Sequence, residues 1–309
     1  MVSAIFLVAA GAVLLFIGGE ALVRGATAIA LRAGLSPMVV GLTVVAFGTS
    51  CPELAVSLGA AMDGHADVAL GNIVGSNIAN IALVAALAAI IAPITTDRDL
   101  IRIDGPVLIG ASITLAGLIH FGSIPRVAGF ALLAVLIVYT VLRILVARTP
   151  AGESDSTESP AGSAGLMLLL TAGGIAALAV GGSLLVDGAL VLSRSLGLSE
   201  AVIGLTLLAV GTSLPEIATT VVAAARGASD LALGNAIGSC IYNILAVLGA
   251  TVVVSPIVVG EISPADSAMM LGTSVLLWII IWTGRRFTRL EGVGLLAVYV
   301  AYFTWLFVR

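Results

Sequence analysis

Charge is what this 309-residue sequence has least of: Asp, Glu, Lys and Arg make up 10% of it, and not one residue is lysine. Soluble domains carry about 25% charged residues, so a water-soluble fold is excluded, and no basic excess exists to recruit nucleic acid. Two cysteines, Cys51 and Cys240, are too few for a disulfide framework or a thiolate metal site, and each reads as a small buried hydrophobe. The two histidines, His65 and His120, fall at predicted loops or helix ends, so no imidazole site is expected. No basic segment precedes the first apolar run, which is longer than a signal-peptide core and reads as a retained helix.

What fills the sequence instead is apolar: 60% of residues are hydrophobic and the mean hydropathy is +1.21. Runs of about 20 residues, enough to cross a bilayer as helix, fall near 3–31, 37–62, 67–93, 103–120 and 124–147, then near 164–194, 199–225, 230–257, 267–283 and 289–307. The expected fold is an all-α membrane protein of ten transmembrane helices, with residues 1–148 and 164–309 as two five-helix repeats. Residues 149–163, TPAGESDSTESPAGS, are rich in Ser, Pro, Gly and acid and read as a linker too short to hold a regulatory domain.

All thirteen basic residues are arginine, and ten of them lie in or beside alternate connections: Arg24, Arg32, Arg98, Arg102, Arg143, Arg148, Arg226, Arg285, Arg286 and Arg289. Arg126, Arg194 and Arg309 fall on the opposite side. Basic residues favour the cytoplasm, which places both termini outside a cytoplasmic membrane and the linker inside. Five helices per half then invert the second half relative to the first.

The halves are also related in sequence. GLTVVAFGTSCPELA begins at Gly41 and GLTLLAVGTSLPEIA at Gly204, each followed by GN-x-x-GS-x-x-x-N. Residues 41–80 and 204–243 share 22 identities in 40 positions at a constant offset of 163. Duplication around a polar intramembrane motif is the pattern of secondary transporters, whose substrate sits between the repeats near the bilayer midplane.

Each copy buries one acid, Glu53 or Glu216. A carboxylate at mid-membrane costs about 3 kcal/mol even on the mild insertion scale, so a matched pair calls for a compensating cation. Thr49 and Ser50 precede Glu53 by four and three residues, and Thr212 and Ser213 precede Glu216 likewise, so a helix puts these oxygens on one face. Pro52 lacks an N–H and strips the Gly48 carbonyl of its helical partner, which together with Gly48 predicts local unwinding; Gly211 and Pro215 repeat the arrangement. Asn72, Ser76 and Asn80 form a stripe on the next helix, as do Asn235, Ser239 and Asn243, with Asn72 and Asn235 assigned a structural role against the broken helix. Gly71 and Gly75, like Gly234 and Gly238, permit close helix approach beside that stripe. Every candidate ligand is a hard oxygen, which suits Na⁺, Ca²⁺ or Mg²⁺, and a crowded dehydrated cage favours Ca²⁺. Two carboxylates neutralise one Ca²⁺ or two Na⁺, so occupancy is mutually exclusive.

These motifs resemble the repeats of the cation/calcium exchanger superfamily, specifically prokaryotic sodium/calcium exchangers, and the similarity extends over essentially all ten predicted helices. The resemblance implies antiport of Ca²⁺ outward against Na⁺ by alternating access, as a monomer in the bilayer and without a cofactor. It implies Glu53 and Glu216 as central ligands, with Thr49, Ser50, Thr212 and Ser213 beside them. It also implies Ser76 and Ser239 at flanking sodium sites, Asn80 and Asn243 at the centre, and the backbone carbonyls of Ala46 and Ala209 as further ligands. Some relatives carry aspartate at the position of Asn243, and its absence argues against potassium cotransport. In similar proteins the first helix of each repeat slides against the remaining eight.

Proton-driven calcium exchange is the main alternative, because burial disfavours the charged form of a carboxyl group. A cation channel is a third reading, against which the duplication argues. An enzyme is not expected, since no nucleophile and base lie together at membrane depth.

Overall fold

A computed structural model describes residues 2–96, 98–147, 163–195, 209–260 and 262–308. The predicted linker therefore lies outside the described residues except for Ser163, as do Asp97, Arg148, Arg309 and the first ten residues of the expected helix 199–225.

The chain is almost entirely helical: α1 (Val2–Ala33), α2 (Pro37–Thr49), α3 (Cys51–Met62), α4 (Ala66–Ile91), α5 (Leu100–His120), α6 (Arg126–Ala147), α7 (Ala164–Ser195), α8 (Ala209–Thr212), α9 (Leu214–Ala225), α10 (Ser229–Val254), α11 (Pro264–Gly284) and α12 (Arg289–Val308). Local chemistry marks the starts. Ser36 caps α2 by accepting the Val39 N–H at 3.3 Å, and Ser263 and Asp266 form a capping box on α11, each followed by proline in the first turn. Among the described residues seven helices are long and apolar enough to cross a membrane, or eight if the bent pair α2–α3 is one span. The protein is thus a multi-pass integral membrane protein.

α4 and α10 are the centre. In each, 78% of the apolar window is buried, against 22% in α6 and 28% in α1 and α7, whose Phe6, Phe16, Ile137 and Leu169 point outward. Lipid, not water, is the solvent that such faces require. α1 and α7 have 32 residues each, about 48 Å at 1.5 Å per residue, so they cross obliquely. They pack against one another antiparallel along a glycine seam. A Cβ placed on Gly18 would stand 2.9 Å from the Leu178 nitrogen, one on Gly174 2.6 Å from the Leu22 nitrogen, and one on Gly181 2.9 Å from the Leu15 nitrogen. Gly234 and Gly238 bring α10 equally close to Met38 and Leu42 of α2.

Contacts between the halves come in exchanged pairs. Ile94–Thr95 (β1) pairs antiparallel with Arg286–Phe287 (β4), and Ser123–Ile124 (β2) with Ile257–Val258 (β3). Because β1 and β2 bracket α5 while β3 and β4 bracket α11, α5 and α11 run antiparallel. Their midpoints meet where the Ser112 and Ser274 hydroxyls lie 3.2 Å apart. Arg126 donates to the Val254 carbonyl at the end of α10 (3.1 Å), and its repeat counterpart Arg289 donates to the Ile90 and Ile91 carbonyls at the end of α4 (3.1 and 3.3 Å). Each guanidinium thereby covers helix-terminal acceptors that lack partners of their own.

Arg143, expected beside a connection, lies 3.6 Å from the half-exposed Asp99 just before α5, but it is also 1% exposed and pairs with Asp104, itself fully buried, at 3.0 Å. Tyr139 donates to the same carboxylate at 2.8 Å. An apolar α6 thus carries a charge into the protein because α5 supplies its opposite.

Candidate cation site

The break expected near Gly48 and Pro52 is present but narrower than unwinding. α2 and α3 meet at 43°, and the deviation is confined to Ser50 (φ −82°, ψ 5°), whose N–H still reaches the Ala46 carbonyl at 3.0 Å. Ser213 adopts nearly the same angles (φ −85°, ψ 4°) between α8 and α9. A single residue suffices because proline fits the first turn of a helix, where its missing N–H has no intrahelical partner to lose. Thr49 and Thr212 thus end one helix while Glu53 and Glu216 lie in the first turn of the next.

Both glutamates are fully buried. Ser50 Oγ donates to Glu216 Oε1 at 3.4 Å, and Ser213 Oγ donates to Glu53 Oε1 at 3.5 Å. The same crossing recurs one layer away. Thr49 Oγ1 donates to Asn235 Oδ1 at 3.2 Å and lies 3.5 Å from Ser239 Oγ, while Thr212 Oγ1 donates to Asn72 Oδ1 at 3.2 Å and lies 3.5 Å from Ser76 Oγ. Each repeat therefore completes the polar surroundings of the other's acid, and neither half alone contains the arrangement.

Asn72 and Asn235 do brace the broken helices. Asn72 Nδ2 donates to Ser57 Oγ (2.9 Å) and the Glu53 carbonyl (3.4 Å), and Asn235 Nδ2 donates to Thr220 Oγ1 (3.2 Å). Ser57 and Thr220 were missed by the sequence reading. Their signal was a hydroxyl one turn after each glutamate, at equivalent positions of the two repeats.

Asn80 and Asn243 are fully buried, and each begins a wide π-type turn, Asn80–Ala85 in α4 and Asn243–Leu248 in α10. Such turns are frequent at functional sites. Glu53 Oε2, Glu216 Oε2 and all four amide atoms of the two asparagines have no hydrogen-bond partner among the described residues. Buried polar atoms left without partners cost about 1–3 kcal/mol each, and the four oxygens among them, Glu53 Oε2, Glu216 Oε2 and the Oδ1 atoms of Asn80 and Asn243, have the chemistry to receive a cation. The Ala46 carbonyl accepts from Ser50 N–H and, at 3.4 Å, from Thr49 Oγ1, while Ala209 opens α8. Cys240 is buried with Sγ 3.6 Å from the carbonyl of Asn77, its own repeat counterpart, whereas Cys51 is half-exposed and not the buried hydrophobe expected.

The sequence matches the family described as sodium/calcium exchanger protein over residues 3–145 and again over 166–308. The chain belongs to this family. It is 38% identical to the putative antiporter CaxA of Alkalimonas amylolytica, over 98% of each chain, and 32% identical to the sodium/calcium exchanger MaX1 of Methanosarcina acetivorans, over 96% of each. Its fold superposes on the sodium-calcium exchanger NCX_Mj, in a structure from a sample soaked with Na⁺ and no Ca²⁺, with a TM-score of 0.87, 31% identity and 98% of each chain covered. The protein is accordingly a cation/Ca²⁺ exchanger and not an enzyme, and Ca²⁺ and Na⁺ are the family's transported substrates, moved without a cofactor.

Proposed function

We propose that this exchanger moves Ca²⁺ out of the cell against entering Na⁺ by alternating access, through ten crossings arranged as two inverted five-helix repeats, residues 1–148 and 164–309, joined by a cytoplasmic linker. The antiparallel course of α5 and α11, forced by the exchanged strand pairs, supports inversion. The carrying observation is the pair of buried carboxylates, each hydrogen-bonded by a serine of the other repeat. Glu53 and Glu216 supply the two charges that neutralise one Ca²⁺. Thr49, Ser50, Ser76, Thr212, Ser213 and Ser239, with the carbonyls of Ala46 and Ala209, supply neutral oxygens suited to Na⁺, and the Asn80 and Asn243 amides lie between them. With both acids shared between the ions, Na⁺ entry expels Ca²⁺. Sodium coupling is favoured over proton coupling by the number of hydroxyls around the acids, since a proton needs one oxygen and Na⁺ needs several. The monomer is the working unit because both halves of the site come from one chain.

The test is radioactive calcium uptake into proteoliposomes at fixed pH. Uptake that requires internal Na⁺ and is indifferent to K⁺ is expected. Uptake driven by an imposed proton gradient without Na⁺ reassigns the exchanger to proton coupling.

A further inference from the structure

The two ends of the site are not equally closed, and the residues responsible stand at equivalent repeat positions. At one end α1 packs along α9, and Gly19 allows it: a Cβ there would stand 3.3 Å from the Ala218 carbonyl carbon and oxygen. Next to it, Glu20 receives a forked contact from Arg226, the C-cap of α9, through Nε to Oε2 at 2.6 Å and Nη2 to Oε1. Arg24 adds its Nε at 2.6 Å from Glu20 Oε1. Planar two-point pairing of this kind fixes geometry as well as charge.

At the opposite end the same positions are occupied by Ser183 for Glu20, Asp187 for Arg24 and Asp63 for Arg226. Two acids and a hydroxyl cannot form the fork. There a cavity of about 160 Å³ separates α7 from α3, walled by Gly182, Ser183 and Asp187 on one side and Val56 on the other, and reaching Thr212 of the cation site. Gly182, the counterpart of Gly19, has only ordinary contact, 3.8 Å from a built Cβ to Pro215.

We propose that Glu20 and Arg226 are positioning residues for exchange, forming a one-sided latch that holds α1 against α9 and biases the protein toward the state open beside α7. Because α1 and α7 are joined by the glycine seam, docking α1 at one end withdraws α7 at the other. The inference rests on the alternating-access reading above. It adds that the two access states are unequal in energy, because Glu and Arg meet at one mouth and Ser and Asp face the other.

The test uses two reporters at equivalent positions, Val56→Cys in the open cavity and Thr219→Cys beneath α1. Maleimide modification is read peptide by peptide by mass spectrometry, so native Cys51 and Cys240 serve as internal references. Glu20→Gln and Arg226→Gln should each slow modification at position 56 and speed it at 219, changing their ratio about two- to fivefold, the range of a partly exposed ion pair. The exchanged set Glu20→Arg, Arg24→Glu and Arg226→Glu, which keeps one charge at position 20 between two of the opposite sign, should restore the ratio. A merely stabilising contact would alter thermal stability without moving the two reporters in opposite directions. If the reporters trade off on adding Na⁺ or Ca²⁺ to the parent protein while Glu20→Gln leaves their ratio unchanged, the latch alone is wrong. If they never trade off, alternating access fails and the latch with it.

Discussion

At the level of Glu53 and Glu216 the two repeats are interchangeable: Ser50 and Ser213, Thr49 and Thr212, Asn72 and Asn235 make the same bonds across the same interface. Away from that level they part. Asp104 holds a buried Arg143 in the first half, where the second half has Ser267 and Leu306, and Glu20 and Arg226 face each other where the opposite end has Ser183 and Asp63. The contrast teaches where symmetry is needed. A site that must release ions to both sides gains from equivalent surroundings, whereas the ends meet different compartments and are free to diverge.

The largest expected effect breaks the symmetric centre. Glu53→Gln or Glu216→Gln should lower calcium flux about a hundredfold or more, equivalent to losing about 3 kcal/mol of ion binding, with the protein still folded and extractable. Near-normal flux in either variant removes that glutamate from the site. Lowering the pH should act in the same direction, because protonation removes the charge that holds Ca²⁺; flux measured across the acidic range that stays flat contradicts this.

Next comes the asymmetric ion pair. Arg143→Leu alone leaves Asp104 buried without its guanidinium and should cost about 3–5 kcal/mol, seen as a large fall in melting temperature in detergent. Adding Asp104→Asn, which removes the unpaired charge but leaves an oxygen for the Tyr139 hydroxyl, should recover most of the loss. Equal instability of single and double variants would show that packing of Arg143, not its charge pairing, matters.

Smaller still, Ser50→Ala and Ser213→Ala should each weaken Ca²⁺ binding about tenfold, the order of one hydrogen bond to a charged group, and should do so equally. A marked inequality in titrations of the two variants would break the symmetry of the centre. The smallest effect concerns a turn. Gly122 (φ 77°) and its counterpart Arg285 (φ 47°) both adopt the left-handed conformation, which costs a non-glycine residue about 1 kcal/mol. Arg285→Gly should therefore raise thermal stability slightly, and Gly122→Arg should lower it.

The division between what the sequence reveals and what it hides follows the same line. The duplicated acids, hydroxyls and prolines were legible because two copies at one offset mark positions that solve the same problem, and Pro52 locates the bend from covalent chemistry alone. Seven of the expected spans, or eight if the bent pair α2–α3 is one, were legible from hydropathy. The π-type turns at Asn80 and Asn243, like those at Gly41–Val45 and Leu100–Asp104, were not, because no residue type marks them. The burial of Arg143 was not legible because hydropathy counts charges without their partners, and Asp104 lies on another helix. The Glu20–Arg226 contact spans the two halves and depends on how α1 docks, which no local pattern encodes.

The central claim, one cation site built jointly by both repeats, is tested most directly by equilibrium binding of radioactive Ca²⁺ to the purified protein and to Glu53→Gln and Glu216→Gln. The account predicts that Na⁺ displaces the bound Ca²⁺ competitively and that both variants lose binding alike. Retention of full Ca²⁺ binding in one variant, with loss in the other, would mean that a single repeat holds the ion and would contradict it.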